Sequence, residues 1–166
     1  MKARKFNNYM KDANHAWAAR VLDMQINPGN GPDLIDPRRN LGIEIKFGLK
    51  PDSWTVLDHQ IAYNNGRTCY WGLGIYQLNC PVSSIRTTNP EKLETLVTQR
   101  EFYLVGWGWM NQFPPHLTTG QTEISQWKNT LRYPKLSRMP QIIHTAEVDK
   151  GKIHLTEGVP LGLFDF

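Results

Sequence analysis

The sequence has few cysteines and no long apolar segment. Only Cys69 and Cys80 occur among the 166 residues, which is too few for a disulfide framework and lacks the spacing of a metal site. We therefore expect reduced thiols and a cytoplasmic, intracellular protein. No apolar run approaches the length of a transmembrane helix, and the basic residues 1–5 are not followed by the apolar stretch of a secretory signal. These absences predict no membrane partner.

Internal repeats, low-complexity tracts and a linker that would divide the chain are also lacking in the sequence. With 40% hydrophobic, 11% aromatic and 20% charged residues, the composition is typical of a globular protein and not of a disordered one. The length predicts a single domain, residues 1–166, that can bury a hydrophobic core. A formal net charge of +4 suits a polyanionic partner without requiring one.

The most informative stretch is residues 31–47, which predicts a β-hairpin. In its second half apolar residues alternate with Glu44 and Lys46, and strand side chains switch faces with this period, so both charged residues should face out of the core. Turn-forming residues at positions 36–40 would let the first strand fold back beside the second. This pairing would bring Asp33 close to Glu44 and Lys46 at one edge of the sheet.

The residue types in this hairpin indicate a possible metal-dependent chemistry. Two carboxylates that converge on one point are hard oxygen ligands suited to Mg²⁺. Such an ion lowers the pKa of a bound water and offsets the charge that builds on a phosphodiester, while the Lys46 ammonium could hold the attacking hydroxide or the phosphate. The alternative is an ordinary edge hairpin with a solvated Glu–Lys pair.

Pro32-Asp33, an interval of ten residues and Glu44-Ile45-Lys46 on an apolar strand resemble the PD-(D/E)XK nuclease superfamily. The resemblance implies that Asp33 and Glu44 bind Mg²⁺, with Mn²⁺ able to substitute, that the Ile45 carbonyl adds a backbone ligand, and that Lys46 assists the nucleophile. Restriction enzymes, Holliday-junction resolvases, homing endonucleases and repair nucleases belong to this superfamily, and the sequence does not separate these branches.

The resemblance also implies an α/β fold with a restriction-endonuclease-like core. This core, written αβββαβ, is a mixed sheet flanked by helices, and here it would span about residues 7–80. Elaborations would follow over about residues 81–157, with an apolar tail at 158–166. A first helix over 8–25, a short strand near 24–27, a helix over 54–64 and a strand over 68–78 are predicted for the core. Beyond it we expect a helix capped by Asn89, a strand over 101–107, a helix around 124–131 and a hairpin of 141–148 with 152–155.

The first helix could also contribute to the site, because in the superfamily it often supplies another acid. Asp12 and Asp23 are the available acids, but neither spacing fits, and Asn14 and His15 lie where resolvase-type sequences carry a glutamate. His15 is equally compatible with a surface or core-edge position. Basic side chains at positions 2, 4, 5 and 11 could contact phosphates or simply be solvated.

Other candidate contacts to DNA lie outside the Asp-Glu-Lys set. The resemblance suggests Gln60, on the helix after the Glu-x-Lys strand, as a further site residue, whereas the alternative is a solvent-facing glutamine. Turn arginines and a basic run interleaved with aromatic residues could contact the DNA backbone. These residues are Arg38, Arg39, Lys128, Arg132, Lys135 and Arg138. Arginines at a turn can equally serve solubility alone.

The last residues form an apolar cluster. Leu161, Leu163 and Phe164 are similar to the short peptides that dock on bacterial sliding clamps, and such a peptide needs only a hydrophobic groove. The alternative is a tail that packs on the chain's own core or on a second subunit.

Together these features predict a Mg²⁺-dependent DNA endonuclease that is specific for a sequence or for a DNA structure. A homodimer or higher oligomer is expected, because cutting both strands requires two sites related by symmetry. The alternatives are a non-catalytic DNA-binding or replication-accessory protein on the same fold, and an interaction module that does not bind nucleic acid.

Overall fold

The computed structural model describes residues 1–49, 53–57, 66–112, 116–117, 127–132 and 140–164, and for 53–57, 110–112, 116–117 and 127–132 it describes the backbone only. The helices among these residues are α1 (Ala3–Leu22) and α2 (Pro90–Glu94). The strands are β1 (Gln25–Ile26), β2 (Leu34–Asp36), β3 (Leu41–Leu49), β4 (Ser53–Leu57), β5 (Thr68–Leu78), β6 (Val97–Gly106), β7 (His116–Leu117), β8 (Trp127–Arg132), β9 (Ile142–Val148) and β10 (Gly151–Thr156).

Seven of the strands form one mixed sheet in the order β1-β2-β3-β5-β6-β10-β9, and β4-β8-β7 form a second sheet. In the large sheet β3 runs parallel to β5, and β6 runs parallel to β10, whereas the other neighbours are antiparallel. The prediction of an α/β fold with a mixed sheet is confirmed. The short strand expected before the hairpin is present as β1, paired with β2.

Helix α1 packs against the large sheet through one apolar stripe. Its buried side chains include Phe6, Met10 and Trp17, which recur at helical spacing. The helix ends where Asp23 adopts a left-handed conformation, with φ 52°, and Met24 N–H donates to the Ala19 carbonyl over 2.9 Å. This C-terminal cap turns the chain directly into β1.

The core between α1 and the sheet is dominated by aromatic rings. Phe47 stacks on Phe102 with ring centroids 5.7 Å apart, and Trp17 meets Phe102 edge-on at 5.9 Å. A Cβ atom at Gly72 would collide with the Phe102 ring, and one at Gly74 would collide with the Phe47 ring. The two glycines of β5 therefore make room for the rings that fix α1 on the sheet.

The predicted hairpin near the C-terminus is confirmed as β9 and β10. Its turn places Asp149 and Lys150 at φ 45° and 59°, as a two-residue hairpin turn requires. The Asp149 carbonyl accepts a 3.1 Å hydrogen bond from Trp17 Nε1, and its carboxylate pairs with Arg20. These contacts tie the turn to α1.

Two predicted helices are wrong where the structure describes them. Residues 53–57 form β4 and residues 127–132 form β8, and the two strands pair antiparallel; the remainder of the predicted 54–64 helix lies outside the described residues. Trp127 and Leu131 are four apart, and this interval puts two residues on one face of a helix and also on one face of a strand. The pairing of β4 with the distant β8 decided between the two.

The C-terminal tail is packed partly on the chain's own core, as the alternative prediction held. Val159 and Phe164 are buried in the same cluster as Trp17, whereas Leu161 is 67% exposed. Arg39 donates to the Leu163 carbonyl and lies over the Phe164 ring, 5.4 Å from its centroid. None of the described helices is both long and apolar enough to cross a membrane.

Candidate active site

The β2–β3 hairpin sets the positions of the candidate site residues. Leu34 pairs with Ile43 and Asp36 with Leu41, so the residue before β2, Asp33, lies beside the middle of β3. The Asp36 carboxylate stabilises the turn. It accepts hydrogen bonds from the backbone N–H groups of Arg38 and Arg39, at 3.0 and 3.3 Å. Aspartate side chains commonly accept such hydrogen bonds from the backbone of their own turn.

Asp33 is held by the strand opposite it. The Ile45 N–H donates to Asp33 Oδ2 over 2.8 Å. Both residues lie just beyond the last Cα pair of β2 and β3, Leu34 with Ile43. The N–H and C=O of a strand residue point toward the same neighbour. The Ile45 carbonyl therefore lies on the same side of β3 as Asp33.

Glu44 is a buried carboxyl group, contrary to the prediction that it faces out of the core. Only 5% of its surface is exposed, because its neighbour in β5, Trp71, is itself fully buried and this side of the sheet is covered as well. Burial, and then the neighbouring Asp33 carboxylate, raise the pKa of Glu44 to about 7. Lys46 Nζ lies 3.5 Å from Glu44 Oε1.

Helix α1 contributes His15, which the sequence left open between site and surface. Its Nε2 atom lies 3.8 Å from Asp33 Oδ2. Burial lowers the pKa of His15, although the Asp33 carboxylate acts in the opposite direction, so the imidazole is neutral at pH 7. Asp12 and Asp23 are exposed, and neither is among the described residues that line the cleft.

These side chains surround a cleft of about 250 Å³. The residues that line it are Asn7, Asn8, Lys11, Asn14, His15, Asp33, Glu44, Ile45, Lys46 and Phe47. One wall is therefore α1, and the other is the hairpin. Asn7 and Asn8 were not predicted as site residues, because helical spacing shows which residues share a face but not which strand that face meets.

A buried polar network fixes α1 at the height that places His15 beside Asp33. Asn14 donates to the Tyr76 hydroxyl, and Arg100 donates to Asn14 Oδ1 over 3.3 Å and 3.4 Å. The same guanidinium forms two hydrogen bonds with the Glu94 carboxylate, at 2.8 and 2.6 Å. Because Asn14 and Arg100 are each 3% exposed, sliding α1 along the sheet would leave buried polar groups without partners.

Of the other predicted DNA contacts, Arg38 and Arg39 have described side chains, and neither is among the described residues that line the cleft. Arg38 lies on the hairpin turn with 80% of its side chain exposed, whereas Arg39 is bound to Asp36 at 2.6 Å and to the tail. The prediction that Arg39 contacts DNA would require those contacts to break. Lys128 and Arg132 lie on β8, where only the backbone is described, and three predicted residues lie outside the described residues. These are Gln60, Lys135 and Arg138.

Among the described residues, no group of three or more His, Cys, Asp or Glu side chains is arranged to hold a metal ion. The oxygen atoms that could do so are those of Asp33 and Glu44, together with the Ile45 carbonyl. No family model matches the sequence, and neither a curated protein nor a solved structure matches it significantly.

Proposed function

We propose that this protein is a Mg²⁺-dependent endonuclease that hydrolyses phosphodiester bonds of DNA, with Asp33, Glu44 and Lys46 as its catalytic residues. The observation that carries the proposal is the pair of carboxyl groups, Asp33 and Glu44, that line one cleft, with the Lys46 ammonium 3.5 Å from Glu44. A fold gains nothing from placing two acids together at a partly buried site, so such a pair indicates a function.

The fold order supports the resemblance to a restriction-endonuclease-like core. Helix α1 is followed by the antiparallel strands β1, β2 and β3, and the next strand of the same sheet, β5, returns parallel to β3. A parallel return requires a crossover connection, which here includes residues 50–67. Residues 53–57 of that connection form β4, and the helix predicted there from the family resemblance otherwise falls outside the described residues.

The residues of the site fit a magnesium ion. Mg²⁺ prefers carboxylate and carbonyl oxygens, and Asp33, Glu44 and the Ile45 carbonyl offer these on one side of β3. Burial, and then the Asp33 carboxylate, raise the pKa of Glu44, and a bound cation would favour its charged form. When bound, the ion would supply the activation of a water and the neutralisation of charge on the phosphate.

The protein side chains would complete the chemistry. The Lys46 ammonium can donate hydrogen bonds to a phosphate oxygen as negative charge develops there. The Ile45 N–H holds Asp33 in position, and His15 Nε2 lies 3.8 Å from the same carboxylate. At about 250 Å³, the cleft is smaller than the roughly 300–1,000 Å³ of sites that enclose a whole small ligand, which favours one segment of a polymer.

The proposal does not specify a branch of the nuclease superfamily. A sequence-specific or a structure-specific enzyme would both use this site. A dimer is proposed because two symmetric sites are needed to cut both strands. Arg38 is available to a phosphate, and the basic residues at 128, 132, 135 and 138 remain predicted DNA contacts.

The test is cleavage of a supercoiled plasmid by the purified protein, with Mg²⁺ and with a chelator. We expect Mg²⁺-dependent nicking that falls at least about 100-fold in Lys46→Ala. Lys92→Ala is the matched control, because Lys92 is an exposed lysine on α2, and it should cut like the wild type. Cleavage by Lys46→Ala at the wild-type rate would refute the assignment.

A plasmid can lack the sequence or the structure that the enzyme recognises. The same assay is therefore repeated on a four-way DNA junction and on long genomic DNA. Discrete fragments of genomic DNA would indicate sequence recognition, and cutting of the junction alone would indicate a resolvase. Binding without cutting on all three substrates would replace the proposal with a non-catalytic DNA-binding protein.

A further inference from the structure

We propose that one face of α1 forms a second contact surface for the DNA strand, in which Lys11 and Arg4 bind the phosphates that lead away from the cleft. We call this surface the α1 track, made of Arg4, Asn8, Lys11 and His15. The inference rests on the proposed function for its substrate, and it adds residues that neither the motif nor its resemblance includes.

The spacing places these four residues in one row. They follow one another at intervals of four, three and four residues, which keeps them on one face of a helix. With a rise of 1.5 Å per residue, Lys11 lies about 6 Å and Arg4 about 16 Å along the helix axis from His15. Lys2 and Lys5 do not fit this spacing and lie on another side of α1.

One end of the α1 track is already a wall of the candidate active site. Asn8, Lys11 and His15 line the same cleft as Glu44 and Lys46. A strand whose phosphate reaches Lys46 would therefore pass Lys11 next, and the exposed Arg4 continues in the same direction. Half or more of protein–DNA hydrogen bonds are made to the backbone, and these contacts fix the register of the strand.

The charge distribution of α1 favours an anion on this surface. No acidic residue lies in its first turn, although acids are favourable at the positive end of a helix. The N-terminal half of α1 therefore carries several positive charges, and Asp12 is its one acid.

The test is equilibrium binding of a labelled 30-base-pair duplex in the presence of a chelator, so that the duplex is not cut. Affinity is measured over a range of salt concentrations for the wild type, Arg4→Gln, Lys11→Gln and the double variant. Each lost phosphate contact should reduce the slope of log affinity against log salt by about 1. Backbone contacts do not depend on sequence, so any mixed duplex can be used.

Lys5→Gln is the matched control, since it removes the same charge from the same helix on another side. It should leave the slope unchanged, and thermal unfolding should show that all variants fold. A wild-type slope in the double variant, or an equal reduction in Lys5→Gln, would overturn the α1 track.

The two proposals fail in different ways. If the wild type cuts DNA but the Arg4 and Lys11 variants bind with an unchanged slope, the α1 track is wrong and the nuclease stands. If no substrate is cut but the slope depends on Arg4 and Lys11, the nuclease is wrong and the surface stands. If the wild type cuts none of the three DNA substrates and binds no duplex even at low salt, both are wrong.

Discussion

The Ile45 N–H donates to Asp33 Oδ2 over 2.8 Å, across twelve positions of the chain. This bond takes the place of a ladder bond just before β2 begins, and it fixes the position of the Asp33 carboxylate. The position of Asp33 is therefore set by the backbone of the strand that carries Glu44 and Lys46, so the three side chains belong to one rigid unit.

Asp33→Asn should separate the charge of this carboxylate from its structural role. Asparagine keeps an oxygen that can accept the Ile45 N–H, but it removes the negative charge. We expect the melting temperature to change little and the cleavage rate to fall at least about 100-fold. Initial nicking rates measure this, with the exposed Asp12→Asn as control. Near-normal cleavage by Asp33→Asn would exclude Asp33 as a catalytic residue.

Asp36 should make stability depend on pH in the acid range. Burial would raise the pKa of this carboxyl, but hydrogen bonds from Arg39, together with its charge, hold the pKa below the ordinary value of 3.8. The charged form therefore stabilises the fold above pH 3.8, and this contribution is lost as the pH falls through the lowered pKa. Asp36→Asn should be about 1–3 kcal/mol less stable at pH 7, with the difference shrinking below pH 3.8.

Urea unfolding at a series of pH values measures the Asp36 effect. Arg86→Ala is a suitable control, because Arg86 is exposed and its loss should have a small effect at every pH. A difference between the wild type and Asp36→Asn that persists undiminished at the lowest pH would contradict the role of charge.

Arg100 should be among the most important polar residues for stability. Arg100→Met removes the partners of Glu94 and Asn14 at a site that is almost completely buried. We expect a loss of about 3 kcal/mol in the free energy of unfolding. Arg86→Met is the matched control, since Arg86 is exposed, and it should stay within about 0.5 kcal/mol. Equal stabilities of the two variants in denaturant titrations would refute this account.

The C-terminal tail should contribute to stability through Phe164 and not through Leu161. Phe164 is 4% exposed and Leu161 is 67% exposed. Phe164→Ala should therefore cost about 3–5 kcal/mol, and Leu161→Ala should stay within about 0.5 kcal/mol. Chemical denaturation compares the two. A small effect of Phe164→Ala would mean that the tail leaves the core easily, as binding to a sliding clamp would require.

The sequence was a good guide wherever the determining contacts are local. Alternation of apolar and charged residues over 41–47 predicts a strand, which the structure extends to Leu49 as β3, and the turn residues before it predict the return of β2. Asn89 predicts the start of α2, and its Oδ1 atom accepts the Glu91 N–H over 2.9 Å. Periodicity, turns and caps depend on residues a few positions apart, so they can be recognised in a sequence.

The sequence was a poor guide wherever one spacing allows two structures. Trp127 and Leu131 fit a helix and a strand equally well, and only the pairing with β4 chose the strand. The alternation in β3 predicted which residues share a face of the strand, but not which elements pack on each face. The burial of Glu44 was therefore missed. Arg39 looked like an exposed turn residue until the tail, more than a hundred positions away, was placed beside it.

The sequence by itself determined that Asp33, Glu44 and Lys46 lie together, because a hairpin joins residues that are close in the chain. Only the tertiary structure decided the wall opposite them. His15, Asn7 and Lys11 reach the cleft because aromatic packing and the Asn14–Arg100 contacts fix α1 on a sheet built from distant strands. Those contacts depend on burial between elements far apart in sequence, and no local pattern specifies them.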